Sequence, residues 1–260
     1  GAMGVREVKF LVTDVGTPDA KIYFFDTNRF EFHYAFASQG LGLSLTLREF
    51  NQQTYFVDDR SFVAGSLLAH DDFEHPQTGL GIYTVEFWPT DPLKVRHVDS
   101  AYAPTVVGLP FAADRVYYHP AGETHERLYD AERAEFDQRQ IRVIGTEALF
   151  GGLRYSPLNL GEGYGVLRLV DGSSTRPPSV RDVVIFRTLP NDLSHVAGVI
   201  TELPQTPLSH INLKAKQNNT PNAYVKEISL DPAVQALVGT LVHYVVSADG
   251  YVLEPADPAD

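Results

Sequence analysis

The chain has 260 residues, a formal net charge of −12 and no cysteine, and these figures exclude several classes of protein. Because 43% of the residues are hydrophobic and 21% are charged, the composition is that of a globular protein and not of a disordered or collagen-like chain. The absence of cysteine excludes disulfide scaffolds, thiolate metal sites and cysteine nucleophiles, and the acidic balance argues against nucleic acid as a partner.

The N-terminus gives no structural signal. Gly1-Ala2-Met3-Gly4 resembles the remnant of a cleaved tag. No signal-peptide pattern follows it, and no run approaches the ~18–20 apolar residues that a membrane helix needs. We therefore expect a cytoplasmic protein that does not associate with membranes.

Residues 5–152 are predicted to form an antiparallel β-rich domain. Val5–Asp14 and Lys21–Thr27 are β-branched and aromatic runs on either side of a Gly/Pro/Asp turn, which is typical of a hairpin. In Thr124–Arg139 apolar residues recur at helical spacing. Further strand-like runs favour a sandwich or barrel-like sheet; they are Arg29–Phe36, Leu43–Phe50, Thr54–Val57, Phe62–Leu68, Gly81–Trp88, Leu93–Val98, Arg115–His119 and Ile141–Ile144.

From about Leu158 the pattern alternates between strands and helices, which predicts a compact α/β domain over residues 153–255. The fold class is therefore α+β overall, and residues 256–260 read as a linker toward a further domain. Two helices are predicted, Ser209–Asn218 and Pro232–Val238. The predicted strands are Gly163–Val170, Asp182–Phe186, Val196–Thr201, Ala223–Val225, Thr240–Val246 and Gly250–Leu253.

The segment Val199–Asn222 carries the pattern with the most chemistry. A strand ends near Thr201, a proline-bracketed loop follows, and Ser209 is a good N-cap for a helix that places His210 at its first position. The positive end of a helix dipole disfavours imidazolium and keeps the ring nucleophilic. The same end favours an anion, so helix amides would stabilise a phosphoryl group on His210. The alternative is that His210 is a polar residue at a loop–helix junction.

This segment resembles the phosphohistidine (swivelling) domain of the pyruvate phosphate dikinase and phosphoenolpyruvate synthase group. Those enzymes carry Thr-Ser-His-Ala-Ala-Ile-x-Ala-Arg followed by Gly-Ile-Pro-Ala. Here Leu208-Ser209-His210 opens the corresponding run, and Thr220-Pro221-Asn222-Ala223 ends it. The loop before the histidine lacks the family's glycine pair, and in this it is most similar to the alpha-glucan water dikinases. The resemblance covers about Leu158–Pro255, with further segments in register at Gly161–Arg168, Asp182–Ile185 and Ala197–Thr201.

The resemblance implies that the chain is the phosphoryl-carrier part of an ATP-dependent, dikinase-like phosphotransferase, inactive alone. ATP and Mg²⁺ would bind to a separate ATP-grasp domain, expected after Asp260, and no cofactor or metal is expected in this chain. His210 would carry the phosphoryl group with Ser209 and Thr206 as catalytic neighbours. Asn212 and Lys214 would stabilise the phosphate. The alternative function is a non-catalytic ligand-binding or regulatory module with a degenerate histidine domain.

Three other patterns receive structural interpretations or stay open. Gly161-x-Gly-x-Gly165 leads into a strand, which predicts the start of a strand and not a phosphate-binding loop. The run His70–His75 has metal-ligating residue types but is predicted to be an exposed acidic loop. His195 either lines the same cleft as His210 or ends a turn. No Ser–His–Asp hydrolase arrangement is evident.

Overall fold

A computed structural model describes residues 5–170, 176–187, 193–204 and 210–257, without the side chains of His210 and Leu213. The described chain contains both helices and sheets, as the α+β class predicts. It divides into two compact units. Gly4–Leu149 is called the first unit and Phe150–Asp260 the second unit; the sequence analysis places this boundary between residues 152 and 153.

The first unit is built on a five-stranded sheet with the order β2-β1-β3-β4-β5. Neighbouring strands are antiparallel from β2 to β4, and β5 is parallel to β4. The strands are β1 (Val5–Thr13), β2 (Lys21–Phe25), β3 (Val63–His70), β4 (Ile82–Phe87) and β5 (Val116–Tyr118). The helices are α1 (His33–Ala35), a π-helix (Phe36–Gly40), α2 (Leu47–Thr54), α3 (Val95–Gly108), a 3-10 helix (Pro110–Arg115), α4 (Glu123–Gln138) and α5 (Thr146–Phe150).

This sheet is covered on both faces, because successive side chains of a strand point to opposite sides. On one face Phe10 belongs to a core that includes Tyr102 of α3 and Phe136 of α4. On the other face Leu11 belongs to an aromatic core with Phe36 and Phe50. The predicted helix Thr124–Arg139 is confirmed as α4.

Three predicted strands of the first unit, Arg29–Phe36, Leu43–Phe50 and Thr54–Val57, are wrong. The chain there forms α1, the π-helix and α2, connected by segments without regular secondary structure. Thr46 begins α2 with a capping box, in which its hydroxyl accepts a hydrogen bond from Glu49 N at 3.2 Å and the Glu49 carboxylate accepts one from Thr46 N at 2.8 Å. Two backbone groups at the helix start are thereby satisfied locally.

The predicted strand Leu93–Val98 is also wrong, since α3 begins at Val95. Its buried residues recur at helical spacing as far as Thr105, although Pro104 lies inside the helix. The run Ile141–Ile144 contributes one bridge, between Tyr118 and Val143. Because helices interrupt the predicted strands, the first unit has one sheet and not the predicted sandwich or barrel.

The second unit is built on a seven-stranded sheet with the order β12-β11-β7-β8-β9-β10-β6. The strands β7 to β10 run parallel, and the others pair antiparallel. Its strands are β6 (Tyr155–Asn159), β7 (Gly161–Val170), β8 (Asp182–Phe186), β9 (Gly198–Thr201), β10 (Asn222–Val225), β11 (Leu241–Val246) and β12 (Tyr251–Pro255). Its helices are α6 (His210–Gln217), a 3-10 helix (Ile228–Leu230) and α7 (Pro232–Leu237).

Two helices cover this sheet. Ile211 and Ala215 of α6 belong to a buried cluster with Val199 of β9, and Val234 of α7 belongs to a second cluster. The strand β6 was not predicted because Pro157 reads as a breaker. In the structure Pro157 lies on the edge of the sheet beside a register shift, a position where a missing N–H is tolerated.

Candidate functional site

The carboxyl ends of the parallel strands β7, β8 and β9 lie along one edge of the sheet in the second unit. Beyond the ends of β7 and β8 the pairing continues, since Arg187 N donates to Val170 O at 3.1 Å and Glu202 N donates to Phe186 O at 3.0 Å. The next helix along the chain, α6, is described from His210 onward. Ligand sites of open α/β sheets lie outside the carboxyl ends of the parallel strands. We therefore take this edge as the candidate site.

Two charged side chains at this edge were not predicted. The side chain of Glu202 is 11% exposed, and its carboxylate accepts a hydrogen bond from Ser229 N at 2.7 Å. Arg187 Nε lies 3.6 Å from the other Glu202 oxygen, with half of the arginine side chain exposed. Arg187 thus presents positive charge to solvent at the carboxyl edge. Its place directly after the buried strand β8 was the signal in the sequence.

The predicted catalytic residues Thr206 and Ser209 lie outside the described residues. His210 is described in its backbone alone, as the first residue of α6. The backbone N–H groups of a first helical turn have no partner within the helix. Lys214 is four residues after His210, so both positions share one face of α6.

Asn212 is fully buried, and its Oδ1 accepts a hydrogen bond from Asn222 Nδ2 at 3.3 Å. This contact joins α6 to the start of β10. The Asn222 Oδ1 atom is itself buried without a hydrogen-bond partner in the described part of the chain. The structure thus places Asn212 between helix and sheet, and its role toward a phosphate stays a prediction.

The basic residues of α6 lie in its last turn. Lys214 is half-buried and Lys216 is exposed. Cations near a helix C-terminus interact favourably with the helix dipole. His195 is exposed, in the segment before β9.

The glycine pattern Gly161-x-Gly-x-Gly165 begins β7, as predicted. A Cβ atom on Gly163 would lie 2.1 Å from the carbonyl oxygen of Ala197. The glycine therefore permits close approach of two backbone segments. The pattern serves the packing of the sheet.

The side chains of His70–His75 point to different partners, and the histidines of this run are not exposed as predicted. His70 is buried and lies 2.8 Å from Thr84 Oγ1. The carboxylate of Asp71 pairs with Arg6 at 2.7 Å. His75 is buried, with its Nε2 3.0 Å from the hydroxyl of Tyr117. In the described part of the chain no group of three or more His, Asp or Glu side chains is arranged to hold a metal ion.

A second group of polar side chains, which the sequence analysis missed, lies in the first unit. Glu86 and His119 are buried, with 2.8 Å between Glu86 Oε1 and His119 Nδ1. The same carboxylate oxygen accepts a hydrogen bond from Thr84 Oγ1 at 2.8 Å. His119 Nε2 lies 3.0 Å from Thr146 Oγ1. The alternation of polar Thr84 and Glu86 along an otherwise buried strand was the available signal.

Neither family models nor curated proteins give a match to this chain. No helix of the described residues has the length and apolar character to cross a membrane.

Proposed function

We propose that the second unit is a phosphohistidine domain, the phosphoryl-carrier part of an ATP-dependent, dikinase-like phosphotransferase. His210 receives the phosphoryl group from ATP by way of a separate ATP-grasp domain and passes it to an acceptor. The observation that carries the proposal is that His210 is the first described residue of α6, nine positions after the parallel strand β9 ends at Thr201.

The helix start suits a nucleophilic imidazole. The positive end of the α6 dipole disfavours protonation of a ring at this position, and a neutral imidazole has a free electron pair for attack on phosphorus. Once the N–P bond has formed, the unused N–H groups of the first turn favour the added negative charge. Transfer through a covalent intermediate divides one displacement into two.

The surroundings add positive charge at the same edge of the sheet. Arg187 is half exposed there and forms a long ion pair with Glu202, at 3.6 Å. The Glu202 carboxylate also accepts a hydrogen bond from Ser229 N. Lys214 shares the helix face of His210. The positive charge of Arg187 favours a phosphoryl group at this edge against the net charge of −12 of the whole chain.

A carrier domain has to visit two sites, and this requires a unit with its own fold. The second unit has its own seven-stranded sheet and its own buried clusters. In the proposal it is the swivelling domain, and Mg²⁺ and ATP belong to the ATP-grasp domain. No residue of this chain is assigned to them.

The labelling experiment uses the full-length protein with Mg²⁺ and ATP labelled at the β-phosphate. We expect an acid-labile, base-stable label that is lost in His210→Ala and kept in His195→Ala. His195 is the matched control because it is an exposed histidine of the same unit. Undiminished labelling of His210→Ala would refute the assignment.

A second experiment removes the dependence on the nucleotide domain. Phosphoramidate phosphorylates reactive imidazoles directly, and phosphorus NMR or intact mass would report one phosphohistidine on the 260-residue chain, absent from His210→Ala. A chain that phosphoramidate modifies at His210 but that ATP never labels would support the regulatory module instead.

A further inference from the structure

Three side chains of the first unit are linked in series by hydrogen bonds. In many hydrolases such a series activates a hydroxyl group. Thr146 Oγ1 lies 3.0 Å from His119 Nε2, and His119 Nδ1 lies 2.8 Å from Glu86 Oε1. A hydroxyl within reach of a base, with the base oriented by a third group, is the geometric signature of an activated nucleophile. These residues come from β4, from the residue after β5 and from α5.

We propose that Thr146, His119 and Glu86 form a nucleophilic site that accepts an acyl group from an activated ester. The site is independent of His210 and of the function proposed for the second unit. All three residues belong to the first unit.

The hydrogen bonds around Glu86 fix the direction of proton transfer. Glu86 Oε1 accepts from Thr84 Oγ1 and from the Nδ1–H of His119. With its proton on Nδ1, His119 presents the lone pair of Nε2 to the hydroxyl of Thr146. The hydroxyl of Thr84 donates its hydrogen bond to Glu86. The hydroxyl oxygen therefore accepts a hydrogen bond from His70 Nε2, at 2.8 Å.

Glu86 stays ionised in this network. Burial raises the pKa of Glu86, but His119, His70 and Thr84 together lower it by more than burial raises it. The pKa of Glu86 therefore lies below its ordinary value. An ionised carboxylate is needed to hold the imidazole and to stabilise the imidazolium that forms during the reaction.

Thr146 is more exposed to solvent than His119 and Glu86. Glu86 is 5% exposed and His119 is 3% exposed, whereas Thr146 is half-buried. Of the three residues, Thr146 is therefore the one that reaches solvent. Thr146 does not cap α5, because Gly145 O accepts the first helical bond from Leu149 N.

The reaction is balanced with water as the second substrate. Thr146 Oγ1 bonds to the carbonyl carbon while His119 Nε2 takes the hydroxyl proton. The bond to the leaving alcohol breaks, and His119 returns the proton to the alkoxide. Water, deprotonated by His119, then releases the carboxylic acid and restores Thr146.

Thr78 and His75 provide a matched control within the same unit. Thr78 Oγ1 lies 3.3 Å from His75 Nδ1, and His75 Nε2 lies 3.0 Å from the Tyr117 hydroxyl. In this pair a neutral hydroxyl occupies the place that Glu86 has beside His119. We expect no activation of Thr78.

The experiment treats the 260-residue chain with p-nitrophenyl acetate at pH 8, quenches it with acid and maps the acetyl group by peptide mass spectrometry. We expect acetylation of Thr146 and none of Thr78. Thr146→Ser should keep the adduct, Thr146→Val should abolish it, and Glu86→Gln should slow it at least tenfold.

The wild-type map alone can overturn the proposal, since an unmodified Thr146 in the folded protein rejects it. Acetylation of Thr146 and Thr78 at equal rates would equally reject it, because that pattern means exposure without activation.

Discussion

Arg60 and Asp91 form a buried ion pair in the first unit, with Arg60 Nη1 2.6 Å from Asp91 Oδ2 and side chains that are 1% and 4% exposed. Each partner has further hydrogen bonds. Arg60 donates to the carbonyl oxygens of Thr54 and Val57, and Asp91 accepts from Phe56 N at 2.8 Å. The pair thereby ties the end of α2 to the segment before α3.

Removing one partner should destabilise the first unit strongly. Asp91→Ala leaves the Arg60 guanidinium buried without its counter-charge, and we expect a loss of about 3–5 kcal/mol in the free energy of unfolding. Urea titration at pH 7 measures it. As a control, Glu123→Ala removes an ion pair with Arg127 whose side chains are 80% and 72% exposed, and it should leave the unfolding midpoint unchanged.

Glu7 should make the stability of the first unit depend on pH. Burial raises its pKa from the ordinary 4.5 to about 7, against smaller opposite effects of Ser66 and Lys9. Between these values the folded chain binds a proton that the unfolded chain has lost, so this contribution falls as pH rises. The full effect is about 3 kcal/mol.

Glu7→Gln should therefore be more stable than the wild type at pH 8 by about 1–3 kcal/mol and no more stable at pH 4.5. Half-buried His33 and buried His70, whose pKa values desolvation lowers to about 4, act in the opposite direction but cancel in the comparison of the two proteins. Urea titrations at several pH values measure the difference. Exposed Glu126→Gln is the control, and an equal gain for both variants would contradict the prediction.

The sequence predicted the second unit better than the first, for physical reasons. Buried parallel strands such as β8 read as continuous apolar runs, and the prediction for Asp182–Phe186 matches the structure. In the first unit Leu43, Leu45 and Leu47 alternate as in a strand, yet the capping box of Thr46 starts a helix there. The hydrogen bonds of the capping box favour the helix, although the alternation of apolar residues favours a strand. Periodicity alone does not decide between the two in so short a run.

The two candidate sites likewise differ in how much of each could be predicted from the sequence. The helix His210–Gln217 follows from residues that are neighbours in the chain, and the sequence predicted a helix there. The place of His210 at the helix start stays a prediction. The row Thr146–His119–Glu86 joins residues 27 and 33 positions apart. Only the pairing of β4 with β5 brings Glu86 and His119 together, and one sequence without an alignment does not reveal that pairing.

Gly163→Ala should destabilise the second unit. An added Cβ would lie 2.1 Å from the Ala197 carbonyl oxygen, which belongs to the backbone and cannot turn away like a flexible side chain. We expect a cost of about 1–3 kcal/mol from the overpacked contact. Gly152→Ala is the control because its Cβ would meet nothing within 4 Å, and equal midpoints for the two variants would contradict the close approach.

Calorimetry of these variants should separate the two units. Each unit has its own sheet and its own buried clusters, so we expect two transitions on heating, as in multidomain proteins. Asp91→Ala should lower the transition of the first unit and leave the other in place. Gly163→Ala should do the reverse, and the double variant should show both shifts, because the two substitutions lie in units with separate sheets and independent sites contribute additively. A single transition that both substitutions move would mean that the two units unfold as one, and a carrier domain that swivels independently would then be untenable.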